Sequence, residues 1–256
     1  MTSDFTVIKL RERKKQNLAL LIPCLNEGGR LIRQIDALEE ELDVGFDLIL
    51  IDGGSKDGSI ETIIKKSPKI LQSVIISHKK QGLSFDLHLG LGAVSQDYRY
   101  VMTLDGNGKD DVRNLRKMFE YSQLHDFDFV QGSRFIHGGS SINLPRDRYF
   151  GIKLFLSPII TLFSRKYYTD PSNQCRVFSQ RAIEMVTQID ISKFLRYDYF
   201  FYIPIRLSRS NFAVSEFPVT RVYPADGSVP THIKKSHYFR LGVDLLKVST
   251  TWKKYK

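Results

Sequence analysis

"FDLILIDGGSKDGS", Phe46 to Ser59, carries the reading of the fold. Leu48 to Ile51 is an unbroken apolar run of strand length, as in a parallel strand buried on both faces. It stops at Asp52 and a Gly-rich turn, and Ile60, Ile63 and Ile64 then follow at helical spacing. The same pattern precedes it in "LALLIPCLNE": a strand from Leu18 to Ile22, ended by Pro23, with Asn26 placed to cap a helix bearing Leu31, Ile35 and Leu38. It continues after it. "SVIISH" is a third strand, and "GLSFDLHLGLGAVS" a helix with Leu83, Leu87 and Leu91 on one face. "YRYVMTLD" is a fourth strand, "DVRNLRKMFEYSQ" a helix and "FDFVQGSRF" a fifth strand. Strands alternating with helices imply an α/β fold: a mostly parallel central sheet flanked by helices, with right-handed crossovers.

The second half is less regular. "GGSSINLPRDR" reads as a loop, Gly151 to Ser164 as a helix, "TDPSNQCRVFS" as a turn entering a strand and "AIEMVTQI" as a short helix. "AVSEFPVTRVYP" reads as one late strand, and "ADGSVPTHIKKSHY" as a polar, basic stretch. A last helix carries Tyr238, Leu241, Leu245, Val248 and Trp252 on one face. No linker separates the halves, so residues 1–256 are expected to form a single domain.

Composition bounds the partners. The chain has 256 residues, 42% hydrophobic and 26% charged, which is ordinary for a globular protein and long enough for a sizeable core. Its formal net charge of +10 favours anionic partners: nucleic acid, an acidic membrane surface or a phosphate-bearing substrate. Cys24 and Cys175 make neither a disulfide framework nor a zinc spacing, which suggests a reducing compartment. No signal peptide is read at the N-terminus. The longest apolar stretch, Phe150 to Phe163, is interrupted by Lys153 and Pro158, so no membrane span is expected. The expected place is the cytoplasm, as a soluble protein or peripheral on the cytoplasmic face of a membrane.

Ligands of such sheets bind beyond the carboxyl ends of the strands. Asp52 and Asp105 each lie at such an end, at matching positions. The loops expected to converge there are "LNE", "DGGSKDGS", "DGNGKDD" and "GSRFIHGGS". Carboxylates there can accept hydrogen bonds from a nucleoside or hold a divalent cation that neutralises phosphate oxygens. Plainer roles stand beside these. Asp57 and Asp110 are well placed as helix N-caps, and Lys109 can be a solvated lysine at a helix start. The histidines have no ligand spacing.

"LIPCLNE", "LILIDGGSKDGS", "GLSFDLHLGLGA", "YVMTLDGNGKDD", "VQGSRFIHGGS" and "TDPSNQCRVFS", in this order and at these intervals, resemble family 2 glycosyltransferases with the GT-A fold. Within that family the chain looks closest to the dolichyl- and polyprenyl-phosphate sugar synthases. The resemblance implies a nucleotide-sugar-binding half over residues 18–135, an acceptor-side half over 136–235 and a basic amphipathic C-terminal helix over 236–256. It implies an inverting transfer from a GDP- or UDP-linked sugar to a polyprenyl or dolichyl phosphate. For the donor it assigns Pro23, Asn26, Glu27, Asp52, Gly54, Ser55, Gly82 and Lys109. At the reacting centre it assigns Asp105, Asn107 and Arg134, with Asp105 and Asn107 on Mg²⁺ or Mn²⁺. Arg134 matches an arginine that meets phosphate in the lipid-phosphate branch. Arg146, Arg148, Asp170, Arg176 and Asp198 fall to the acceptor side.

The chain departs from the family pattern where it matters. Gly53 replaces the second Asp of the usual Asp-Asp-Gly-Ser, and Asn107 replaces the second Asp of the DxD motif. Asn can offer a carbonyl oxygen to a metal, but no charge. Lys109 is therefore a candidate for part of the positive charge that a diphosphate needs. Asp198 can be an acceptor-side acid or a hydrogen-bonded partner of Tyr or Arg. The final helix, with Trp252 and its lysines, can pack on the domain or lie against anionic lipid. Rival functions are a transferase acting on hydroxyls of polysaccharide or glycolipid, a non-catalytic family member, and a nucleic-acid-binding protein. The last lacks every common nucleic-acid-binding motif, and no nucleic acid is expected as partner.

Overall fold

A computed structural model of the protein describes residues 5–12, 17–41, 45–78, 82–194, 197–226 and 238–254. Strands β2 (Leu18–Cys24) and β3 (Phe46–Asp52) are buried along their whole length and pair in parallel. β4 (Leu71–Ser77) adds in parallel to β3, and β5 (Tyr100–Thr103) in parallel to the other side of β2. This is the nucleus that the apolar runs predict. Beyond β5 the sheet turns mixed. β8 (Arg176–Ser179) lies antiparallel between β5 and β6 (Phe129–Ser133), and β9 (Val214–Pro218) runs parallel to β6. β1 (Phe5–Lys9), which no periodicity announces, pairs antiparallel with β4 at the opposite edge. The order is β1-β4-β3-β2-β5-β8-β6-β9.

Helices cover both faces. On one, α1 (Gly29–Glu41), α2 (Ser59–Lys66) and α4 (Leu115–Leu124) press Leu31, Ile35, Ile63 and Met118 onto the alternate residues Leu20, Ile22, Leu48 and Leu50. On the other, Leu21, Ile49, Ile51 and Val101 meet α3 (Leu83–Val94), α7 (Gln180–Thr187), α8 (Asp198–Arg209) and α9 (Tyr238–Thr251). The approach of α3 is close: a Cβ on Gly90 would fall 2.1 Å from Ile51 Cδ1, so only glycine lets this helix sit there.

Several expectations are corrected. The helix read over 151–164 begins earlier: α5 (Arg146–Gly151), a π-turn over Ile152–Leu156 and α6 (Ser157–Ser164) run on continuously. The late strand divides at Val219, where the chain leaves β9 and forms β10 (Thr220–Val222) in a second small sheet with β7 (Ser140–Ile142). Asn26 does not cap α1. It adopts φ 53° and its side-chain oxygen accepts from the Lys56 N–H, tying the loop after β2 to the loop after β3. Asp110 is not an N-cap either. Asp111 caps the following 3₁₀ turn by accepting from the Arg113 N–H, and Asp110 is buried. Asp57 does accept from the Ser59 N–H at the start of α2, and it also holds the Gly28 N–H. On α9, Leu245 and Val248 are buried in the core, as packing requires. The side chains of Tyr238 and Trp252, and most of the basic stretch before α9, lie outside the described residues.

Candidate active site

The loops after β2, β3 and β5 meet at one rim of the sheet. Gly53 N–H donates to the Cys24 carbonyl at 3.0 Å, and Asn26 N–H to Ser55 Oγ at 2.9 Å. Asp52, at the end of β3, accepts from the Ser55 N–H at 2.9 Å and is buried. From α1, Gln34 donates to the Asp105 carbonyl at 2.9 Å and accepts from the Gly108 N–H at 3.1 Å. One amide thus pins both ends of the Asp105–Gly108 turn. Glu27, Gly54 and Ser55 lie on these same loops, Pro23 is still within β2 opposite Ile51, and Gly82, at φ 89°, opens α3. Glu27 pairs with Arg30 at 2.9 Å.

Sequence reasoning missed a carboxylate here. Asp86 of α3 reaches under Gly53, where its Oδ2 would lie 3.0 Å from a Cβ at that position. Burial pushes its carboxyl up to about 6; a hydrogen bond with Ser77 opposes this and Asp52 adds to it. Its Oδ1 is buried and has no hydrogen-bond partner. A carboxylate thus lies beside position 53, reaching it from a neighbouring helix.

A second missed residue is Arg221. Val222 N–H donates to the Lys109 carbonyl at 2.8 Å and Asp111 N–H to the Thr220 carbonyl at 3.0 Å, so β10 lies along the "DGNGKDD" loop as a short ladder. That ladder sets Arg221 into the loop. Its Nη1 donates to both Asp110 oxygens at 3.0 and 2.9 Å, and its Nη2 to Asp105 Oδ2 at 2.6 Å and Asn107 Oδ1 at 3.3 Å. Burial opposes the Arg221 charge, but Asp110 and Asp105 outweigh it and hold the guanidinium protonated well above its ordinary range. Burial pushes Asp110 up, to about 6, against the pull of Arg221.

Lys109 is not a solvated lysine. It is buried, with its ammonium 5.3 Å from the Tyr223 ring centre. Burial and the nearby Arg221 bring it down to about 8; Asp105 pulls it up and Arg148 adds to the lowering. Arg148 and the exposed Arg146 open α5, and Arg148 stands close enough to the rim to be felt by Lys109.

Arg134, predicted at the reacting centre, and the remaining predicted acceptor residues are placed differently. Only 3% of the Arg134 side chain is exposed. Its donors go to Asp170 at 2.6 and 2.8 Å, to Ser172 Oγ at 2.8 Å and to Tyr223 Oη at 2.7 Å. This arrangement offers no phosphate contact; Arg134 braces the Asp170 turn and Tyr223. Arg176 lies in the core, its guanidinium over Phe129 and Phe200 at 5.9 and 5.6 Å. It donates to the carbonyls of Pro171, Asn173 and Phe200, and burial pulls it down to about 10. Asp198 is buried at the start of α8 and accepts from the Tyr199 N–H.

The predicted metal ligands can be tested against this geometry. A divalent cation needs oxygens free to coordinate, anionic ones above all. Asp105 Oδ2 already accepts from Arg221 and from Asn107 Nδ2, and Asn107 Oδ1 accepts from Arg221 and from the Lys109 N–H. Among the described residues no group of three or more His, Cys, Asp or Glu is arranged to hold a metal ion. With Arg221 in place, Asp105 Oδ2 and Asn107 Oδ1 are taken up by other donors and do not fit as a metal pair.

The model of glycosyl transferase family 2 matches residues 19–186. An uncharacterized protein of Methanocaldococcus jannaschii is 24% identical over 217 residues, covering 84% of this chain and 85% of its own. Among solved structures, glucosyl-3-phosphoglycerate synthase from Mycobacterium tuberculosis, crystallised with Mn²⁺, uridine diphosphate and glucosyl-3-phosphoglycerate, superposes with a TM-score of 0.69 at 12% identity. The match covers 94% of this chain and 81% of that one. S. aureus TarS (residues 1–349) superposes with a TM-score of 0.57 at 13% identity, covering 90% and 71%. These structural likenesses show the fold.

Proposed function

The chain belongs to glycosyl transferase family 2, and on that premise we propose that it transfers a sugar, with inversion, from a nucleotide-sugar donor to a polyprenyl phosphate at a membrane surface. It is a glycosyltransferase that uses a nucleotide sugar; the acceptor is the reading added here.

The observation that carries the acceptor is the helix over Arg146–Ser164. It starts with Arg148 beside the Lys109 rim and then exposes apolar side chains: Phe150 is 53% exposed, Leu154 62%, Phe155 65% and Leu162 72%. Basic residues frame this face at Arg146, Lys153, Arg165 and Lys166. Isolated exposed leucines are ordinary, but an apolar row rimmed by cations suits an anionic membrane surface. A lipid phosphate would bring its charge to Arg148 and its hydrocarbon along that row. No described helix is long and apolar enough to cross a membrane, so this contact is peripheral.

The chemistry follows from the rim. Asp52 and Asp86 face the donor's nucleoside, and Lys109 and Arg221 face its diphosphate. An oxygen of the acceptor phosphate attacks the anomeric carbon. The bond from that carbon to the diphosphate oxygen breaks, and the electron pair leaves with the nucleoside diphosphate. The attacking phosphate is already an anion, so no general base is required. The protein's work is positioning and neutralisation of the leaving group. Asp105 holds Arg221 in place, while Arg134, Asp170 and Arg176 support the acceptor wall.

The test is a transfer assay with UDP- and GDP-sugars, offered either undecaprenyl and dolichyl phosphate in vesicles or soluble oligosaccharides. Transfer to the lipid phosphates, abolished by Asp105→Ala, is the expected result. Transfer to sugar hydroxyls alone would replace the acceptor; no transfer to either, with intact nucleotide binding, would point to a non-catalytic member.

A further inference from the structure

A nucleoside diphosphate leaves as a multiply charged anion, and something at the rim must carry the opposing charge. In the M. tuberculosis relative the crystals contain Mn²⁺ together with uridine diphosphate. Here the loop after β5 holds a guanidinium. Arg221 bridges Asp105, Asn107 and Asp110 through contacts of 2.6 to 3.3 Å. Asp105 and Asp110 hold Arg221 between them, Lys109 stands close enough to feel it, and Glu27 and Arg148 also act on Lys109. A divalent ion entering this cluster would meet a cation already on its best ligand. The departures in the loop agree with this. Asn107 gives Arg221 a neutral oxygen where a second Asp would add charge for a metal. Asp110, which is buried, accepts from Arg221 with both oxygens and so holds it against the loop. The guanidinium cannot lose its proton, so its charge is permanent. Its Nε–H is buried and has no acceptor.

We propose that Arg221 is the resident counter-cation of the donor diphosphate, standing in for a divalent metal between Asp105 and Asn107, so that this enzyme binds its nucleotide without metal. The proposal rests on the nucleotide-sugar reading above and deepens it. Lys109 completes the charge, and β10 is the element that delivers it. A purely structural Arg221 would hold β10 on the loop and leave nucleotide binding dependent on metal.

Titration calorimetry of UDP and GDP into the full chain, in EDTA and in Mn²⁺, separates these. The expected result is binding of at least one nucleotide with affinities in the two buffers agreeing within about threefold. Arg221→Gln alone strands Asp110 and can unfold the protein, so the variant to use is Asp110→Asn with Arg221→Gln, which keeps the buried pair neutral. In EDTA that double variant should bind about tenfold or more weakly than wild type, and Mn²⁺ should restore it. Mn²⁺ spin-resonance titration without nucleotide should show weaker binding to wild type than to the double variant. If wild type needs Mn²⁺ to bind nucleotide, or the double variant binds as well as wild type in EDTA, Arg221 is not the counter-cation, and the donor reading survives. If neither nucleotide binds in either buffer, both readings fall. Should the double variant not fold, the wild-type EDTA comparison still decides.

Discussion

Asp52 and Asp105 are legible in the sequence because each ends a buried apolar run, and a chain pattern of that kind survives folding unchanged. Arg221 is not legible. It lies 111 positions from Asp110, and only the ladder between β10 and the Lys109–Asp111 segment brings them together. Asp86 is hidden for another reason: it sits in a helix that reads as a core stripe through Leu83, Leu87 and Leu91, with nothing to mark a buried acid. Its position against Gly53 yields a prediction for single residues. Asp86→Ala should raise the KM for the nucleotide sugar about tenfold and leave kcat within about twofold, since it removes ground-state binding alone. Gly53→Asp should also weaken binding, because its carboxylate would crowd Asp86 and Asp52. The two together should recover most of the loss, and a double-mutant cycle on KM measures that coupling. Additive losses would show that the two positions do not share a role.

Elements carry the next level. The strands β6, β8 and β9 and the helix α7 converge on Asp128. Its carboxylate accepts from Arg181 at 2.7 and 2.5 Å, from Ser179 Oγ at 2.9 Å and from the Ala213 N–H at 2.9 Å. Burial raises this carboxyl, but those donors, Arg181 foremost, hold it below its usual range. A lowered acid stabilises the fold above its unfolded value near 3.8, and that contribution is lost as pH falls through the folded value. Asp128→Asn should therefore cost about 1–3 kcal/mol at pH 7 in urea unfolding, with the gap to wild type closing below pH 4. The helix over Arg146–Ser164 makes the other element-scale prediction. At low salt the protein should sediment with phosphatidylglycerol vesicles, and Leu154→Ser with Phe155→Ser should cut the bound fraction at least about threefold without lowering the melting temperature. Undiminished binding would remove this face as the membrane contact. That helix was legible only from Gly151 onward, because the polar, Arg-rich turn before it gives no apolar stripe. α8 was missed altogether: it is buried on nearly every face and holds Pro204, so neither periodicity nor propensity announces it.

At the scale of the molecule, the parallel nucleus β4-β3-β2-β5 was readable from apolar runs alone, and it is the part that places the donor loops. The mixed half was not, because β8 and β9 join the sheet by long-range pairing and not in chain order. The division of labour is physical. A buried sheet fixes Asp52 and Asp105 at one rim, while the later strands fold back over that rim to deliver Arg221 and Tyr223. The excess of positive charge, +10 over the chain, favours anionic partners such as a nucleoside diphosphate. The most direct test of the nucleotide-sugar site at the heart of this account is a thermal-shift panel of UDP- and GDP-sugars, read with EDTA and with Mn²⁺. The account predicts that at least one sugar nucleotide raises the melting temperature in both buffers and that Asp52→Ala abolishes the rise. No shift from any member of the panel, or an equal shift in Asp52→Ala, would contradict it.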